Sequence, residues 1–154
     1  MLWSNLVKRL SSTIRTSETY EEYKKLSKAK RDEIKDVGGF VGGTLKGGRR
    51  KADAVVWRQI VTLDADYVKG DLWAGVETIL GYGAVMYSTH SHSPSNPRLR
   101  LVIPLKRAVT PDEYQAVARR IAADLGIDFF DDTTYEPHRL MYWPSTSSDG
   151  QFVC

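Results

Sequence analysis

Asp64 and Asp66 stand two residues apart at the end of an apolar run that starts near Val55. In an extended chain this spacing puts both carboxylates on one face. Paired carboxylates are hard oxygen donors that suit Mg²⁺ or Mn²⁺ and leave coordination sites for water and phosphate oxygens. Ser88, His90 and His92 repeat the same spacing further on, and Arg98, Arg100 and Arg139 supply guanidinium groups fit to hold phosphates. Asp131, with Asp132 as its substitute, offers a third carboxylate just ahead of Arg139. Lys46, Arg49, Arg50 and Lys51 crowd a Gly-rich loop, which reads as a hairpin tip able to touch a template phosphate. Its Gly-Gly pairs lack the spacing of a phosphate-binding loop that opens a helix.

These residues need elements to position them. Residues 3–36 read as helical, with Thr19 and Glu22 at capping-box spacing, and the charged run from Lys24 to Lys35 reads as a solvated helix face. Six of the twelve glycines fall between Gly38 and Gly48, which breaks the helix and points to a short strand over Phe40 to Leu45 followed by a basic turn. Beyond it the pattern gives strands over 55–66, 84–92, 98–105 and 139–143, with helices over 71–80 and from Thr110 to about Asp124. Thr110, Pro111, Glu113 and Gly126 mark the ends of the second of these helices.

The order is strand-helix-strand-strand-helix-strand. This α+β arrangement is the ferredoxin-like or RRM-like βαββαβ unit, an antiparallel sheet with helices on one face. Residues 1–37 are then an N-terminal helical extension and 38–154 a catalytic core. Alternation sends Val61, Leu63, Ala65, Leu99, Leu101 and Ile103 to the helices, and Asp64, Asp66, Arg98 and Arg100 to the open face. It also assigns Val85, Tyr87, Thr89, Leu140 and Tyr142 inward, and Ser88, His90, His92, Arg139, Met141 and Trp143 outward.

The chain has 154 residues, 42% hydrophobic and 27% charged, enough for one core and far from disordered or collagen-like composition. No run approaches the roughly 20 apolar residues of a membrane span, and the N-terminus lacks the apolar centre of a secretory signal. The sequence therefore reads as cytoplasmic. A single cysteine, Cys154, excludes an internal disulfide and a Cys-based zinc site. The net charge of +3 is too mild to name a nucleic-acid binder on its own.

Carboxylates, histidines and arginines crowded at one sheet edge carry a desolvation and repulsion cost that a divalent cation offsets. The layout is that of a two-metal nucleotidyl transferase. One ion lowers the pKa of an attacking 3′-hydroxyl, both steady the α-phosphate, and the other accompanies the leaving pyrophosphate.

Three segments carry a family resemblance: Asp64-Ala65-Asp66; Ser88-Thr89-His90-Ser91-His92 with Pro94 and Pro97-Arg98-Leu99-Arg100; and Phe130-Asp131 before Pro137-His138-Arg139-Leu140-Met141-Tyr142-Trp143-Pro144. They resemble the acidic-pair, Ser-x-His and hydrophobic-Asp motifs of archaeo-eukaryotic primases. From about Phe40 to Trp143 the chain is similar to the Prim-Pol domains of phages and integrated mobile elements, often fused to a helicase of the virulence-associated protein E type. The resemblance implies primase or primase-polymerase activity on a single-stranded DNA template, with nucleoside triphosphates, two metal ions and a replicative helicase as partner. It implies Asp64, Asp66 and Asp131 as metal ligands and a histidine on the triphosphate, with His92 ranked above His90 because a small hydroxyl residue and a proline follow it. The end soon after Trp143 reads as a truncated domain or a fragment of a longer replication protein.

Two rivals share the sheet. A rolling-circle or relaxase-type endonuclease would use His90 and His92 for one metal and Tyr114 as the nucleophile, but leaves Asp64 and Asp66 unexplained. A non-catalytic single-stranded nucleic-acid-binding module would need stacking aromatics on its third strand, where this sequence has Arg98, Arg100 and Val102.

Overall fold

The computed structural model describes residues 1–81 and 83–154. Its elements are α1 (Trp3–Leu10), β1 (Ile14–Arg15), α2 (Tyr20–Lys25), α3 (Lys28–Lys35), β2 (Gly39–Phe40), β3 (Gly43–Leu45), β4 (Val55–Ala65), α4 (Leu72–Ile79), β5 (Val85–Ser88), β6 (Leu99–Val109), α5 (Pro111–Leu125), β7 (Met141–Tyr142) and β8 (Ser145–Thr146). Local chemistry accounts for the ends. Thr19 and Thr110 each close a capping box with Glu22 and Glu113, Asp71 caps α4 through the Ala74 N–H, and α5 stops at Gly126, which has a positive φ.

The main sheet is antiparallel in the order β3-β4-β6-β5. Its helix side buries Val61, Leu63, Ala65, Leu99, Leu101 and Ile103 against Leu72 and Val76 of α4 and Tyr114, Ala118 and Ala122 of α5, as the alternation predicts. The fold is thus α+β, and its βαββα portion follows the expected order.

The last strand does not complete the unit. Residues expected over 139–143 shrink to β7, which pairs antiparallel with β2 in a separate two-stranded ribbon. The free edge of β4 is already used. Near its start it pairs with β3. Near its end, Asp64 N–H donates to the Thr134 hydroxyl and Asp131 N–H donates to the Asp64 carbonyl, at 2.8 and 2.9 Å. The segment before β7 therefore occupies the place a fourth strand would take.

The second face is not open either. Leu6 and Leu10 of α1 pack on Val85, Tyr87 and Val102, with Phe40, Ile60 and Trp143 around them. Residues 1–37 are bound in further by the parallel pairing of β1 with β8. The apolar stripe of α1 is the physical reason: Leu6 and Leu10, one helical turn apart, need a surface to cover.

Pairing also corrects the facing of β5. Val85 lies opposite Val102 and Tyr87 opposite Arg100, so both share the α1 face, while Ser88 lies opposite Leu99 on the helix side. The predicted in-and-out assignment of this strand is reversed. In β7, Met141 is fully buried, not outward, and Tyr142 lines a cleft, not the core. No helix among the described residues is long and apolar enough to cross a membrane.

Candidate functional site

Where β4 ends and β6 begins, the sheet edge carries opposite charges. Asp64 faces Arg100, whose Nε donates to Oδ1 at 2.6 Å with both side chains buried. Arg100 also donates to the Tyr87 hydroxyl at 3.1 Å and to the Tyr142 carbonyl at 2.9 Å. One step out, Arg98 reaches Asp66 at 3.2 Å. Arg139 approaches the second oxygen of Asp64 at 3.8 Å, too long for a hydrogen bond, and its buried Nε and that of Arg98 have no acceptor among the described residues.

These side chains line a cleft of about 400 Å³, closed on its other side by Lys28, Asp32 and Lys35 of α3 and by Arg50 from the loop after β3. Six Lys and Arg side chains face three carboxylates there. Burial, with Asp64 and Asp131 adding like charge, holds the Asp66 carboxyl above its ordinary value despite Arg98. Burial works against the Arg100 cation, but Asp64 and its other partners outweigh it and keep the group charged.

Asp131 and Asp132 lie outside this cleft, in a neighbouring depression with Tyr67 and Thr133. Although burial opposes ionisation, the Thr133 hydroxyl and N–H hold the Asp131 carboxyl below its ordinary value.

The histidines behave differently from each other. His90 lines the cleft. Its Nε2 meets the Glu18 carboxylate and its Nδ1 meets the Ser145 hydroxyl, both at 2.8 Å, and the Tyr23 ring packs on it at 4.4 Å. An ionised carboxylate only accepts, so Nε2 carries the proton and Ser145 donates to Nδ1. Burial lowers the pKa of His90, although Glu18 pulls the other way. His92 is outside the lining. Its Nδ1 accepts from the Arg98 N–H at 3.2 Å, which leaves Nε2 to donate to the Gln151 side chain at 3.0 Å. Ser88 is also elsewhere, bonded to the backbone of Val153. Both histidines thus have their ring nitrogens occupied by protein, and the arginines are the groups with donors to spare.

Of the basic loop, Arg50 reaches the cleft, whereas Lys46, Arg49 and Lys51 stand exposed away from it. The relaxase candidate Tyr114 is fully buried, its hydroxyl among Thr62 and Thr134 and its ring under the Arg58 guanidinium at 4.0 Å. It has no route to a DNA phosphate. The α1 cover likewise removes the open stacking platform that an RNA-recognition module needs.

Sequence reasoning missed the contribution of α3. Lys28, Asp32 and Lys35 recur at i, i+4 and i+7, the spacing of one helix face, and that face closes the cleft. Lys28 and Lys35 both grip Asp32 at 2.7 Å and lower its carboxyl to about 2. Glu18, the partner of His90, carried no signal beyond its charge.

Could the site hold a divalent cation? Among the described residues no three His, Cys, Asp or Glu side chains converge on one point. Mg²⁺, however, is commonly held by one or two carboxylates with waters and substrate phosphates completing the shell. The donor chemistry of Asp64 and Asp66 matches that set, with Asp64 held by Arg100 and Asp66 by Arg98.

The family model of the VapE N-terminal domain matches residues 1–154, and the chain belongs to that family. Comparison with curated proteins and with solved structures finds no match.

Proposed function

We propose that this VapE N-terminal domain is a primase or primase-polymerase that joins nucleotides on a single-stranded DNA template, as a replication module of phages or mobile elements. Domains of this family are often fused to a helicase domain, and a replicative helicase is the natural partner. One observation carries the reading: two carboxylates at the end of β4 share a cleft with four arginines and two lysines. Carboxylates alone would suit many cation sites, and arginines alone many anion sites. Together they suit a substrate that brings both, a nucleoside triphosphate with its divalent cation.

A Mg²⁺ or Mn²⁺ ion held by Asp64 and Asp66, with Asp131 as a further carboxylate nearby, would supply Lewis-acid help to the 3′-hydroxyl and charge neutralisation at the α-phosphate. The remaining chemistry belongs to the chain. Arg98 and Arg139 carry the unpartnered Nε–H donors and take the phosphates. Arg100 sits deeper and orients Asp64. His90, locked by Glu18 and Ser145, fixes the cleft wall. Arg50, with Lys46, Arg49 and Lys51 behind it, favours the template backbone.

A second reading is a single-stranded nucleic-acid-binding module without catalysis, favoured by the way each cleft aspartate is already neutralised. Nucleotide binding separates the two. With a fluorescent nucleoside triphosphate and Mn²⁺, the enzyme reading expects saturable binding that Arg139→Ala weakens about tenfold or more, the value of a charge-assisted hydrogen bond. Nucleotide binding that is absent, or indifferent to Mn²⁺ and to Arg139, supports the binding module.

A further inference from the structure

The cleft does not end at the strand edge. A second depression of about 410 Å³ lies against α2, α3 and the loop before β6, and it shares Lys28, Asp32, Lys35, Ser91 and Arg98 with the first. To these it adds Lys24, Arg31 and Tyr20.

Five cations line this depression against the single carboxylate of Asp32, which Lys28 and Lys35 both already hold. The ion pair of Lys24 with Glu21 at 3.3 Å is exposed and worth little in water. The buried Nε–H of Arg31 has no acceptor among the described residues. With Arg98 paired to Asp66 of the first cleft, these five cations meet three carboxylates among the described residues, Asp32, Glu21 and Asp66, so positive charge remains in excess. The Tyr20 ring stands half-exposed among these groups, with the Lys24 ammonium 5.4 Å from its centre. Tyr23, in contrast, is spent on packing against His90.

We propose that this depression seats the phosphodiester backbone of a single-stranded nucleic acid on its way into the cleft, with Tyr20 stacking on one base. The inference rests on the cleft being the nucleotidyl-transfer site. Several cations along a groove and an accessible aromatic ring are the composition that single-strand binders use. The aromatic ring decides the strand state, because only an unpaired base can lay its face on it. The continuity of the two depressions sets the direction: a strand held by Lys24 and Arg31 passes Lys28, Lys35 and Arg98 to reach Asp64 and Asp66.

The test is fluorescence anisotropy of a 5′-fluorescein-labelled dT₁₅ oligonucleotide over a salt series, on the full chain. Lys24→Ala/Arg31→Ala removes two cations that line only the second depression. Binding should weaken at least several-fold, and the slope of log K against log salt should become shallower by about 1.4, the share of two phosphates on a single strand. Tyr20→Ala should weaken binding by about fivefold or more, and Tyr20→Phe should restore it. Circular dichroism of each variant confirms the fold. In the same variants, binding of a fluorescent nucleoside triphosphate should stay at the wild-type level. Unchanged dT₁₅ affinity and salt slope, or equal or tighter binding of a blunt duplex of the same length, overturns the proposal. If wild type binds no triphosphate while the variants still lose dT₁₅ binding, the transferase reading fails and the groove stands as a strand-binding site.

Discussion

The Arg100 guanidinium donates through Nε to the Asp64 carboxylate at 2.6 Å across adjacent strands, with both side chains buried beneath the cleft. Asp64 is therefore a structural acid as well as a candidate cation ligand. Asp66, one rung outward and partly exposed, has the looser partner. Arg100→Met leaves Asp64 buried without its cation and should cost about 3–5 kcal/mol, read from urea denaturation. Combined with Asp64→Leu it should recover much of that loss, because the uncompensated charge is gone.

Tyr114 tests the endonuclease rival. Its hydroxyl bonds Thr62 and Thr134 inside the core. Tyr114→Phe should lower stability by about 1 kcal/mol and leave primer synthesis intact. Loss of a DNA-nicking activity on this substitution would revive the rival.

The fold was legible where local rules decide it. The capping boxes at Thr19 and Thr110, the Gly126 stop, and the alternation through β4 and β6 all appear as the residues predict. It was not legible where two segments compete for one edge. Nothing local in Arg139 to Trp143 reveals that Thr134 and Asp131 already occupy β4, nor that α1 covers Val85 and Tyr87. The site divides the same way. Asp64, Asp66, Arg98 and Arg100 meet in one cleft because strand alternation places them, whereas Arg139 joins them from the irregular segment before β7. His92 and Ser88 miss it because their residues follow the C-terminal tail at Gln151 and Val153. The α3 face was hidden by its own composition, since a charged stripe that lines a cleft looks like one that faces water.

Gly43 shows why a glycine is needed where β3 meets β4. A Cβ there would meet the Trp57 carbonyl oxygen at 2.1 Å, across the β3–β4 pairing. Gly43→Ala should destabilise the protein by about 1–3 kcal/mol and displace the loop that brings Arg50 to the cleft. Denaturation and dT₁₅ affinity should both register it, the second as a loss of binding.

The Glu18–His90 pair makes stability pH-dependent. Burial lowers the pKa of His90 from its ordinary 6.5, so the unfolded chain takes up this proton more readily than the folded one. Its contribution is complete above pH 6.5 and is lost as the pH falls below that value. Glu18, held below its ordinary 4.5 because its bonds to His90 and Thr16 outweigh burial, loses its own contribution only in more acid solution. The urea midpoint should therefore drop between pH 7 and 5, and His90→Gln should flatten the upper part of that drop.

Primer synthesis on single-stranded DNA with Mn²⁺ and nucleoside triphosphates tests the central claim most directly, comparing wild type with Asp66→Asn. Asp66 is the cleaner position, since the bond from Arg100 to Asp64 is left in place. The account expects extended product from wild type and a loss of at least about a hundredfold in Asp66→Asn at unchanged circular dichroism and dT₁₅ affinity. Equal product from both proteins, or none from either with Mg²⁺ or Mn²⁺, contradicts it.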